Sequence, residues 1–108
     1  MGVDVVLKRV GRAGTSPKKR RLTQLDVVLD EADVFAGVCA GSGLPMLSRV
    51  DPYGDLVLTG EEMPQFIAEV EVEWGRAAEP QRGVLAEVRR LAEWCAAEPS
   101  TELHLEGD

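Results

Sequence analysis

A chain of 108 residues has room for one hydrophobic core, so residues 1–108 read as a single domain. With 44% hydrophobic and 29% charged residues the balance is globular, which excludes a disordered acidic tail and a collagen-like chain. The formal charge of −7 is divided unevenly: residues 1–21 hold seven basic side chains against one acid, and residues 22–108 hold five against eighteen, a balance of −13.

Val3, Val5 and Leu7 alternate with Asp4, Val6 and Lys8, the pattern of a strand. Residues 9–22 then read as a basic loop with a mobile tip, marked by Gly11, Gly14, Pro17 and the run Lys18-Lys19-Arg20-Arg21. Thr23 followed by Asp26 offers a helix cap. Leu25, Val28, Leu29, Ala32, Phe35, Ala36 and Cys39 recur at helical spacing, which predicts a helix over 24–39, closed by Gly41-Ser42-Gly43. Val27, Val28, Val34 and Val38 lower its propensity. Leu44 to Val50 reads as a short strand. Asp51-Pro52-Tyr53-Gly54 fits a type I turn, and Leu56 to Leu58 returns as a second strand, a hairpin over 46–58. Thr59 and Glu62 offer a capping box, with Pro64 suited to the first helical turn.

The segment 64–74 carries two patterns. Met63, Phe66, Ile67, Val70 and Trp74 fit a helix, while Ala68 to Trp74 alternates with Glu69, Glu71 and Glu73 like a strand. Glu and Ala favour helix, so a helix is expected, with Val72 pointing outward and rails of Glu beside a buried stripe. Val84, Val88, Leu91 and Cys95 mark a further helix, ended by Glu98-Pro99-Ser100. Leu103-His104-Leu105 alternates as a short strand able to pair with the first. The expected class is α+β: a small, mostly antiparallel sheet of N-terminal strand, central hairpin and C-terminal strand, packed against two or three helices.

Chemical motifs are sparse. Val27-Val28-Leu29-Asp30-Glu31-Ala32-Asp33 looks like the magnesium box of RNA helicases, but no phosphate-binding loop accompanies it. Asp51, Asp55 and Glu62 match positions 1, 5 and 12 of a calcium loop, yet Leu56 stands where Gly is required and Tyr53 where an oxygen ligand is. His104 is the one histidine, and Cys39 and Cys95 are far apart, which frames no zinc site and no disulfide scaffold. Two buried reduced thiols are expected, with a single bridge left open. No metal and no cofactor are expected, and no catalytic set is found.

An acidic body repels a phosphate backbone and attracts basic partners. The expectation is therefore a non-enzymatic module that binds a basic protein, with no nucleic acid and no membrane. Met1 to Lys8 lacks the order of a secretory leader, and the expected place is the cytoplasm. The candidate contact residues are the turn tip Asp51, Tyr53 and Asp55 and the acids Glu61, Glu62, Glu69 and Glu73. In size and charge the chain resembles the small acidic α+β immunity proteins and antitoxins of bacteria, which implies inhibition of a basic toxin. The alternative is a small-molecule binder or cryptic enzyme with a pocket between sheet and helices, lined by Arg49, Trp74 and Trp94. Val72 and Trp94, expected at the surface, leave a homodimer open.

Overall fold

The computed structural model describes residues 2–12 and 20–107. Strand β1 (Val3–Arg12) pairs antiparallel with β2 (Arg20–Val28); helix α1 (Val34–Ser42) follows. Strand β3 (Asp55–Thr59) leads into α2 (Met63–Arg76) and α3 (Gln81–Ala97), and β4 (Thr101–Gly107) closes the order. The four strands form one antiparallel sheet in the order β2-β1-β4-β3. The class is the α+β expected from the sequence. No helix among the described residues is long and apolar enough to cross a membrane.

The alternation of β1 decides which face is buried. Val3, Val5 and Leu7 are fully buried, with Leu103 and Leu105 of β4 and Leu58 of β3 on the same side. Phe35 and Cys39 of α1, Phe66 and Val70 of α2 and Leu85, Val88 and Leu91 of α3 complete this core. The other sheet face aligns Val6 with Val27 and His104, and His104 with Val57. Lys8–Glu106 (2.7 Å) and Arg20–Glu102 span it, and His104 meets Glu102 of its own strand at 3.1 Å.

Three sequence expectations are corrected. The helix predicted over 24–39 is α-helical only from Val34, after a 3₁₀ turn at Glu31–Asp33; Thr23 and Asp26 lie in β2 and cap nothing. Thr23, Val27 and Val28 favour a pleated surface, and β1 supplies the partner that local propensity cannot see. Asp26 lies opposite Leu7, where its carboxyl takes the Val27 N–H at 2.8 Å and the Arg90 guanidinium at 3.0 Å, which hold it below the usual carboxylate range. The basic loop predicted over 9–22 is strand over 9–12 and 20–22; its remainder, with the expected mobile tip, lies outside the described residues. β1 pairs with β4 only as far as Arg9, so residues 10–12 and 20–22 continue past the sheet as a two-stranded ribbon.

The strand predicted over 44–50, and with it the hairpin over 46–58, is absent. Leu47–Arg49 is a single 3₁₀ turn, and β3 pairs with β4 instead. The cause is a distant carboxylate. Glu69 of α2 accepts the N–H groups of Met46 and Leu47, each at 2.9 Å, and removes them from any ladder.

The start of α1 is also held from afar. Asp33, the residue before α1, makes no side-chain cap. The buried Asp30 carboxylate instead accepts the N–H groups of Phe35 (2.8 Å) and Ala36 (2.9 Å), together with that of Val3 in β1 (2.9 Å). The N–H of Asp30 in turn donates to Asp4 at 2.8 Å. By contrast the 3₁₀ turn Gly60–Glu62 that leads into α2 starts as its sequence reads: Glu62 accepts the Thr59 N–H at 2.9 Å in a capping box, with Pro64 in the first turn of α2.

Candidate protein-binding edge

The turn before β3 is built from its own side chains. The Asp51 carboxylate accepts the Tyr53 N–H (2.9 Å), and the Asp51 carbonyl accepts the Gly54 N–H (3.2 Å). The Gly54 carbonyl then accepts the Gly107 N–H at 2.8 Å, which fastens the turn to the end of β4. That closeness requires glycine: a Cβ on Gly107 would lie 2.5 Å from the Asp51 carbonyl oxygen. Tyr53 is thus held on a fixed support while 70% exposed.

β3 is an edge strand, so one row of its backbone groups has no neighbouring strand. Asp55 opens it and is exposed without a side-chain partner; Glu61 follows its far end in the same condition. Asp55 to Thr59 spans roughly 14 Å at strand rise. Glu62 is committed to the capping box and to Arg49 at 3.7 Å. The structure therefore brings Asp51, Tyr53, Asp55, Glu61 and Glu62 to one edge.

Glu69 and Glu73 do not belong there. Both are buried, so the expectation of two Glu rails facing a partner is corrected. Glu69 holds Met46 and Leu47 and receives the Gln65 amide at 2.9 Å. Glu73 accepts the Ser42 hydroxyl at 2.7 Å and meets Arg76 at 3.4 Å. The signal was present in the spacing. Once 63–76 is a helix, Phe66, Glu69, Val70 and Glu73 share a face, and an acid on an apolar face must find buried donors.

The body neutralises its own cations. Arg89 pairs with Glu71 and Glu93, Arg90 with Asp26 and Glu87, and Arg82 stacks over the Trp74 ring at 4.3 Å. Arg49 and Trp74, expected to line one pocket with Trp94, line separate hollows. Trp74 lines a groove of about 470 Å³ between α2 and α3, with Leu85 and Arg89. Arg49 lines a separate hollow with Glu61, Glu62 and Gln65, and Trp94 lines neither. Val72 and Trp94 are exposed, as expected.

Cys39 and Cys95 are free and buried. Burial first, then the charges of Asp30 and Glu73, pushes the Cys39 thiol up to about 12. Burial also pushes Cys95 up. These are protonated core groups at neutral pH rather than nucleophiles. Above pH 9.0 the unfolded chain loses the Cys39 proton while the folded chain keeps it, so stability falls as pH rises toward 12. The slope from one such group is at most about 1.4 kcal/mol per pH unit. Urea midpoints between these limits are expected to fall less steeply in Cys39→Val than in the native chain. No family model, curated protein or solved structure matches the chain.

Proposed function

We propose that this chain is a non-enzymatic protein-binding module that takes a basic segment of a partner along the β3 edge. The observation that carries the reading is Tyr53, 70% exposed on a turn fastened to β4, between the acids Asp51 and Asp55. An open edge offers backbone hydrogen bonds to an added strand, and flanking carboxylates select basic side chains. A rigid exposed tyrosine is the residue type that concentrates binding energy. Such a module would inhibit its basic partner by covering it, in the manner of an immunity protein or antitoxin, a reading supported by the −13 balance of residues 22–108. Buried free thiols fit a reducing compartment, which favours the cytoplasm.

The test is capture of partners from the native host at low and high salt, with native chain and two variants. Tyr53→Ala is expected to weaken a stoichiometric basic partner by about 30-fold or more, the scale of a hot-spot residue. Asp55→Lys is expected to slow association, with the difference fading at high salt. A partner held equally by all three chains sinks the assignment of this edge. The second reading, a small-molecule site, is favoured by the Trp74–Leu85–Arg89 groove alone. It requires a metabolite that raises the melting temperature of the native chain and not of Trp74→Ala.

A further inference from the structure

Charge pairing among the described side chains leaves groups of both signs over. Among the described cations, those of the body are all engaged, as are Lys8 and Arg20. Among described side chains, Arg9 and Arg21 are the cations left without a partner, and both are exposed. Arg9 lies opposite Thr23 and Arg21 opposite Gly11, so strand alternation puts both on one face of the ribbon. It is the face continued by Leu7, on the helix side of the sheet.

Two acids without a side-chain partner, Glu61 and Glu98, line a hollow of about 680 Å³ where α3 ends and β4 begins. The last turn of α3 carries no basic residue, so its terminal carbonyls add to the negative potential there. Ribbon and hollow occupy the same end of the molecule. Arg9 pairs with Thr101, the Val10 N–H donates to the Ser100 carbonyl at 2.7 Å, and Ser100 and Thr101 both line the hollow. Yet the two free cations and the two free acids are not bonded to one another within the chain.

We infer that two copies clasp at this end about a two-fold axis, each ribbon laying Arg9 and Arg21 against Glu61 and Glu98 of the other copy. A surface that carries both halves of a complementary pair is satisfied twice by such an axis, which closes the assembly at two. Guanidinium and carboxylate match in planar, two-bonded geometry. Trp94, one turn beyond Arg90 on α3, is 38% exposed and leaves apolar area uncovered on the helix whose end forms the hollow. A nucleic acid is the weaker occupant, because a body of charge −13 adjoins the ribbon. The contact goes beyond the Tyr53 edge, and Arg9, Arg21 and Glu98 take no part in that edge.

Sedimentation velocity over a wide concentration range tests it. In low salt the native chain is expected to approach twice the mass of one chain, and in high salt to return toward one, since screening acts on exposed pairs. R9E/R21E and E61R/E98R are each expected to weaken self-association by about tenfold or more. Mixed together, they are expected to restore a one-to-one complex. Arg21→Gln and Glu98→Gln, which remove charge without reversing it, repeat the test if a reversal variant loses its far-UV dichroism. A native chain that stays monomeric at every concentration in low salt overturns the proposal. So does a dimer that both reversal pairs leave intact. Retention of a single-stranded oligonucleotide by a monomer, lost in R9E/R21E, would overturn it too and assign the ribbon to nucleic acid.

Discussion

Replacing Asp30 by alanine is expected to lower the unfolding free energy by about 4 kcal/mol, a large part of the 5–15 kcal/mol available to a small domain. The carboxylate satisfies three N–H groups from two distant elements: Val3 in β1 and Phe35 and Ala36 at the start of α1. Without it the Val3 and Phe35 donors stay buried and the Ala36 donor partly buried, with no substitute. Each unmatched donor costs about 1–3 kcal/mol, and three that share one site relax partly together. The loss also strips α1 of its N-terminal support, because Asp33 makes no side-chain cap. Asp30→Asn keeps one acceptor oxygen and turns an amide donor toward backbone donors, so it is expected to recover less than half of the loss. Urea denaturation of both variants measures this. Midpoints within the error of the native chain would mean that water replaces the carboxylate.

Glu69→Ala is expected to cost about 3 kcal/mol and to act in a different place. Glu69 is the reason residues 44–50 turn instead of forming a strand. Its carboxylate takes the Met46 and Leu47 N–H groups and the Gln65 amide. Met46 and Leu47 are core residues, so the segment they anchor cannot swing free without exposing them. Hydrogen exchange should register the damage as lost protection at Met46 and Leu47, with β1 and β4 retaining theirs. Glu69→Gln keeps one acceptor and is expected to cost about half as much. Uniform loss of protection would show instead that the segment and the sheet open as one unit.

These two carboxylates also mark where the sequence stops being legible. Elements with local causes can be read: the capping box of Thr59 and Glu62, the Asp51 turn, helices α2 and α3, and the pairing of the first and last strands. What misleads is structure imposed from a distance. Leu25, Val28 and Leu29 fall in step with Phe35 and Cys39, so a strand and a helix merge into one apparent helical stripe. Pairing of β1 with β2 across the basic stretch separates them. The site is legible in the same proportion. Asp51, Tyr53, Asp55 and Glu61 stand where local chemistry puts them, at a turn tip and a strand end. Glu69 and Glu73 look like surface acids until the fold supplies the buried donors that they serve.

The order β2-β1-β4-β3 has a consequence for synthesis. Among the described strands, β1, made before the other three, and β4, made after them, are neighbours at the centre of the sheet, and β3 pairs with β4 alone. While the ribosome is still extending α3, β3 has nothing to pair with and the apolar faces of both helices lack half their floor. The fold cannot close until Thr101–Gly107 has left the exit tunnel. A ribosome stalled before that point would hold an exposed edge and an uncovered core, the kind of chain that holding chaperones capture.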